Sequence, residues 1–164
     1  MREGHPLFKN IYCTRHCNYF SRLLMSLFFC FFSIFLFLLS FQPYADKVAA
    51  YLKAKHPTVP VVYFANGGSC YLHQQLDMNF DGISIDWRIS MSRAREQAGN
   101  KVLAGNCDPM ILYGTEKSIQ DAVTKCITQA KGHHVLNLGH GVEQDTPESA
   151  VACFVEAARH VKIN

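Results

Sequence analysis

The stretch HHVLNLGHGVEQDTPESAVACFVEAARHV, residues 133–161, decides how the rest of this 164-residue chain is read. It opens on an apolar, strand-like run over 134–139 and breaks at Gly139-His140-Gly141. It restarts as a helix at Thr146-Pro147-Glu148, which supply a cap, a preset φ and an acid at the positive end of the helix dipole. Val151, Phe154, Val155, Ala158 and Val161 then recur at helical spacing and form the expected inner face. A strand, a turn bearing one polar side chain and a returning helix make one β–α unit. Chains of such units build parallel sheets with right-handed crossovers.

Working outward, the same pattern repeats. ADKVAAYLKAKH (45–56) places Val48, Ala49 and Leu52 on one helical face and ends before Pro57. VPVVYFA (59–65) reads as a buried strand, Gly67-Gly68 as a turn, and Ser69 as the cap of a helix reaching about Met78. GISIDW (82–87) is the second strand, and MSRAREQAG (91–99) a short helix ending at Gly99. KVLAGN (101–106) is the third strand. Asp108-Pro109 pairs a cap with a first-turn proline, and Thr115 caps a longer helix whose face is Ile119, Val123, Ile127 and Ala130.

The predicted fold class is therefore α/β: a helix, then four parallel strand–helix units. Four strands cannot close a barrel. The reading that fits is the C-terminal half of a (β/α)8 (TIM) barrel, with a small open sheet as the structural alternative. A half barrel standing alone leaves two sheet edges and an apolar strand face bare.

The chain divides in composition into a leader, 1–42, and a body, 43–164. The leader holds Arg2, Lys9, Arg15 and Arg22 against Glu3, which accounts for the whole formal charge of +3. Its residues 23–41, LLMSLFFCFFSIFLFLLSF, carry no charge and as a helix would span about 28 Å, close to the hydrocarbon core of a bilayer. This predicts a hydrophobic N-terminal helix, a membrane anchor with its basic end cytoplasmic. A cleaved signal fits less well, because no small-x-small site follows. A third reading is a gene-model artefact. Phe, Leu, Ser and Cys share pyrimidine-rich codons, and an intron's polypyrimidine tract read as protein would look like this.

The body is electrically balanced, which gives no case for nucleic-acid binding. The seven cysteines (13, 17, 30, 70, 107, 126 and 153) are odd in number and irregular in spacing, so reduced, mostly buried thiols are expected in the body. Cys13-x-x-His16-Cys17 lacks a second ligand pair at finger-like spacing, and no metal is expected.

In parallel α/β folds, chemistry sits at the carboxyl ends of the strands. Those ends carry Asn66 with Gly67-Gly68, Asp86-Trp87, Asn106 with Asp108, and His140. Asn66, Asn106 and Asp108 read first as turn and cap residues. Asp86 is open to two readings: a partly buried group paired with Arg88 or Arg93, or a substrate contact. His140 is the leading candidate. Flanking glycines let the backbone bend and a ligand approach, and an imidazole can donate to a carboxylate or exchange a proton. His56, His73, His133, His134 and His160 read as helix-end or connector residues. The sequence contains no H-E-x-x-H motif, phosphate loop or dinucleotide fingerprint.

VLNLGHGVEQDTPE resembles the C-terminal signature of the uroporphyrinogen decarboxylase family, and GISIDW, GNCDPMILYG and VPVVYFANGG follow in matching order and spacing. The resemblance covers 43 to about 162, and FANGGSCYL is similar to the plastid type, which implies a chloroplast location. Otherwise the chain is membrane-anchored or cytoplasmic. The resemblance implies a TIM barrel, usually homodimeric, with no cofactor or metal. The implied activity removes CO2 from the four acetate side chains of uroporphyrinogen, an acidic tetrapyrrole, to give coproporphyrinogen for haem and chlorophyll biosynthesis. His140 matches the family's histidine and is the implied catalytic and substrate-binding residue. The family's arginine-bearing motif, pyrrole-binding aspartate, tyrosine and serine have no counterpart here, so the chain as written is expected to be weakly active or inactive. Two alternatives stand beside this. One is a zinc-dependent, corrinoid-linked methyltransferase, whose His-x-Cys ligands are missing after VYFANGG. The other is a non-catalytic, membrane-anchored or subunit-like remnant.

Overall fold

The computed structural model describes Phe35 and residues 37–161. The chain divides into two units, Met1–Pro43 and Tyr44–Asn164. The description of the first covers Phe35, a π-helical turn at Phe37–Phe41 and the start of helix α1, Gln42–Lys55. The apolar run 23–41 and the Cys13–Cys17 motif therefore lie mostly or wholly outside the described residues. Among the described residues, no helix is long and apolar enough to cross a membrane.

The second unit carries four strands: β1 (Val62–Phe64), β2 (Gly82–Ser84), β3 (Val102–Cys107) and β4 (His134–Leu138). All pair in parallel, in the order β1-β2-β3-β4. The intervening helices are α2 (Leu72–Leu76), α3 (Met91–Ala98) and α4 (Glu116–Ala130), and α5 (Glu148–His160) follows β4. Single 3₁₀ turns at Gly68–Tyr71 and Pro109–Tyr113 lead into α2 and towards α4. Strand–helix alternation is thus as the sequence suggests. The caps at Asp108 and Thr115 form as well, accepting from the Met110 and Ser118 amides at 2.9 and 3.2 Å.

One sheet face is packed. Ile83, Ile85, Leu103, Ile119 and Val123 are almost wholly buried between the strands and the helices, each side chain contributing about 1.5–3 kcal/mol by its removal from water. The other face is open. Register aligns Phe64, Ser84, Ala104 and Val135 in one row across the sheet. Phe64 is 45% exposed, Val135 56%, and Val62 49%. Parallel sheets normally bury both faces, so the outer members of this row, Phe64 and Val135, give the bare strand face expected of half a barrel, while Ala104 in its middle is buried.

The amino ends of the strands are fastened by two cations. Arg95 is buried, and among the described residues it has no carboxylate within ion-pair distance. Its guanidinium donates to five carbonyls: Ala130 at 2.6 Å, Lys101 at 2.8 Å, Gly99 and His133 at 2.9 Å, and Gly132 at 3.0 Å. These are the turns that enter β3 and β4. Lys101 donates to the Leu76 and Met78 carbonyls at the end of α2, and burial pulls its pKa down.

Several local expectations are corrected. Ser69 caps no helix; it lies inside the 3₁₀ turn, and its hydroxyl is committed elsewhere. Thr146 does not cap α5 either. Pro147 occupies the cap position without a side-chain bond, and the Thr146 hydroxyl faces the Tyr113 hydroxyl at 3.4 Å. On α5 the buried side chains are Ala150 and Phe154, while Val151 and Val155 are exposed, because the helix packs on α4 and the Pro109–Tyr113 turn along a narrow stripe. On α4, Cys126 takes the core position expected of Ile127, since 119, 123, 126 and 130 follow the helix turn more closely. On α1 only Ala49 is buried. Polar ties hold this helix instead: the Asn79 amide to Asp46 at 2.9 Å, and Lys53 to Asp81 at 2.8 Å.

Candidate functional site

The carboxyl ends of the strands converge on Asp86. Its carboxylate is fully buried, and each oxygen accepts two hydrogen bonds. One oxygen takes the Ser69 hydroxyl at 2.6 Å and the Arg88 amide at 2.9 Å. The other takes the Gly67 amide at 2.7 Å and the Arg88 guanidinium at 3.2 Å. Burial opposes the charge, but the Ser69 hydroxyl and the Arg88 and Gly67 donors outweigh it and hold the carboxyl below the ordinary carboxylate range. Of the two partners considered for Asp86, the ion pair is with Arg88. Gly67 adopts φ +76°, the left-handed conformation that aims its amide at Asp86.

Arg88 is the consequence of this arrangement. One of its terminal nitrogens bridges Asp86 and Asn66, the latter at 3.3 Å. The guanidinium lies 5.1 Å from the centre of the Trp87 ring, a cation–π arrangement. The side chain is 49% exposed, and among the described residues its other nitrogens have no hydrogen-bond partner. A guanidinium anchored through one nitrogen, with its remaining donors unused, is suited to a carboxylate. Sequence reading singled out Asp86 and treated Arg88 only as its counter-ion. The overlooked signal was an arginine two residues past a strand-end aspartate.

His140 follows β4 at the same end and is half-buried. Its Nδ1 donates to the Gly141 carbonyl at 2.7 Å, which leaves Nε2 as the atom that can accept a proton or a hydrogen bond. Gly139 packs against the backbone of Asp86 and Trp87, so the ends of β2 and β4 meet there. The glycine is thus required by packing, whereas Gly141 meets nothing within 4 Å. The clearance expected of both glycines belongs to the second alone.

Asn106 closes the expected third strand and is buried at the end of β3 rather than serving a turn or cap. Its amide donates to the Asp86 and Ile89 carbonyls at 2.9 and 2.6 Å, fastening the segment that carries Trp87 and Arg88. Asp108 lies outside this network as a cap. The structure therefore brings together Asn66, Asp86 and Asn106 with Arg88, while Gly139, the residue before His140, packs on the backbone of Asp86 and Trp87. His134 opens β4, within the strand expected over 134–139, and its ring faces Cys126 and the Gly105 carbonyl. Among the described residues, no three His, Cys, Asp or Glu side chains are grouped to hold a metal ion.

Comparison with known proteins gives this rim a context. The Uroporphyrinogen decarboxylase (URO-D) family model matches residues 36–161. Uroporphyrinogen decarboxylase of Crocosphaera subtropica is 36% identical over 121 residues, which is 73% of this chain and 34% of that protein. The enzyme of Trichodesmium erythraeum is 34% identical over the same shares, and that of Nostoc punctiforme 36%. The chain thus spans about a third of the length of the curated relatives it matches. Among solved structures, a methyltransferase from Methanosarcina mazei superposes with a TM-score of 0.64 at 22% identity, covering 75% of this chain and 36% of that one, a likeness of fold. Four parallel β–α units with this match make the second unit part of a TIM-barrel-like fold, and the chain belongs to the uroporphyrinogen decarboxylase family.

Proposed function

We propose that the chain supplies the carboxyl-terminal part of a site that binds uroporphyrinogen and removes CO2 from its acetate side chains. The contact of Gly139 with Trp87 carries the reading, because it sets the signature histidine, His140, on the same rim as the exposed Arg88 fork. Arg88 holds one substrate carboxylate. His140 Nε2 engages another or moves a proton. Asp86 acts by positioning Arg88 and the Gly67 turn rather than by touching substrate, since the protein itself occupies both its oxygens. When the acetate C–C bond breaks, the electron pair passes to the protonated pyrrole, and the protein's work is to hold carboxylates and manage protons. With four strand ends contributing, the chain alone binds the macrocycle weakly and shows little or no turnover.

The test is incubation of the purified 164-residue chain with uroporphyrinogen, reading coproporphyrinogen by chromatography and uroporphyrin binding by fluorescence. Binding that falls about tenfold in His140→Ala supports the reading; absence of binding by the unaltered chain overturns it, and turnover at a full-length relative's rate overturns the claim of partial function. A second reading is favoured by the open row of Phe64 and Val135: a subunit-like remnant that pairs with an intact family member. Co-purification with such an enzyme distinguishes it.

A further inference from the structure

Helix α1 presents a face that the tetrapyrrole reading does not use. Its body side is polar: Asp46 accepts from the Asn79 amide, Lys53 pairs with Asp81, and Ala49 is the helix's buried residue. On the opposite side Tyr44, Val48, Tyr51 and Leu52 recur at i, i+4, i+7 and i+8 and form one stripe. All four are exposed, Tyr44 and Tyr51 by 65% and 64%. Two ammonium groups lie over the rings of this stripe. Lys47 Nζ is 5.5 Å from the centre of the Tyr44 ring, and Lys55 Nζ is 6.0 Å from that of Tyr51. Both lysines are exposed. No acid shares the face, because Asp46 is the one carboxylate of the helix and is turned to the body. Contiguous apolar side chains left in water mark a surface that something covers.

The chemistry of the face selects its occupant. A protein groove that buries the stripe must also desolvate or pair the two ammonium groups beside the rings. The headgroup zone of a bilayer accepts both parts without that cost. Tyrosine rings settle at headgroup level, lysine stems lie along the apolar surface, and their ammonium groups meet lipid phosphates and carboxylates. The sequence directly upstream points the same way: residues 23–41 carry no charge, and they end just before the stripe begins. We infer that α1 docks on an anionic lipid surface, with its apolar stripe in the headgroup zone and Lys47 and Lys55 on the lipid charges. The helix lies along that surface rather than across it. This inference is independent of the substrate assignment.

The test footprints the full 164-residue chain with hydroxyl radicals, free and bound to vesicles of phosphatidylcholine and phosphatidylserine in roughly a 3:1 ratio, and reads oxidation at each residue by mass spectrometry. Tyr44 and Tyr51 are expected to lose most of their reactivity on the vesicles. Trp87 and Tyr113, exposed elsewhere on the second unit, should keep theirs in the same sample. Lys47→Gln combined with Lys55→Gln should restore much of the lost reactivity, each removed charge weakening the hold on anionic lipid about fivefold. Both lysines are exposed, so these substitutions should leave the fold unchanged. If Tyr44 and Tyr51 stay reactive on vesicle-bound chain, the sequence upstream holds the membrane alone and the inference fails. Shielding already present without vesicles, the mark of a protein partner or a second copy on the stripe, would also overturn it, as would shielding that survives the double substitution.

Discussion

Gly139 lies against the backbone of Trp87 so closely that no side chain fits between them. A Cβ at residue 139 would overlap the Trp87 amide nitrogen and stand 3.0 Å from Trp87 Cβ. The obstruction is mostly backbone, which cannot swing aside. Gly139→Ala is therefore expected to cost about 1–3 kcal/mol by overpacking and to displace His140 from the rim. Gly141→Ala meets open space and should stay within about 0.5 kcal/mol of the parent. Urea unfolding of the two variants side by side checks this, and equal losses would refute the assignment of unequal roles to the two glycines.

The buried Asp86 carboxylate makes a pH-dependent contribution whose sign follows from its lowered pKa. A depressed carboxyl stabilises the fold fully above the unfolded value of about 3.9, and that stability is lost as pH falls through the lower folded value. Stability measured from pH 7 downward should hold until about pH 4 and then decline, the Asp86→Asn variant showing a shallower decline from a lower starting point. At pH 7 that variant should lose about 2–4 kcal/mol, because the Arg88 guanidinium loses its buried counter-charge. Ser69→Ala, which removes one neutral donor, should cost about 1 kcal/mol. A larger loss from Ser69→Ala than from Asp86→Asn would contradict the picture of Asp86 as the hub.

Arg95 carries the opposite end of the sheet. Five carbonyls share its guanidinium, and they close the turns into β3 and β4. Arg95→Met fills the space but leaves those oxygens without donors, and a loss of about 3–5 kcal/mol is expected. Arg95→Lys keeps the charge but cannot fork, so it should recover only part. Chemical denaturation gives both values; a neutral methionine variant would show that the carbonyls find other partners.

The fold was legible because period decided it. Four apolar runs separated by helical spacing and by the caps Asp108 and Thr115 specify β–α units almost without reference to tertiary contact. Face assignments were less secure on α1 and α5. There the apolar residues Val48, Val151 and Val155 follow helical spacing yet remain exposed, since their helices touch the rest along narrow stripes. In the site, His140 stood out through its flanking glycines. Ser69 and Arg88 did not, because Ser69 acquires its meaning from Asp86, 17 residues on, and Arg88 its second anchor from Asn66, 22 residues back, distances no local pattern encodes. Arg88 is an extreme case: only the burial of its immediate neighbourhood, supplied by β1 and β3, turns an ordinary surface cation into a held fork.

That fork makes the sharpest test of the substrate reading. Arg88→Gln removes the charge and the paired donors while keeping one amide that can still reach Asp86, so its effect on folding should be about 1 kcal/mol. Its effect on uroporphyrin binding should be larger, about tenfold, and should shrink as salt rises and screens the attraction. Arg88→Lys retains the attraction at long range but offers a single point of contact, and should bind between the other two. Fluorescence titrations of the three chains at two ionic strengths, with unfolding midpoints as a control, separate a ligand contact from a scaffold role. If all three bind alike while Arg88→Gln lowers the midpoint, Arg88 serves only the Asp86 network, and the carboxylate must be met by His140 alone.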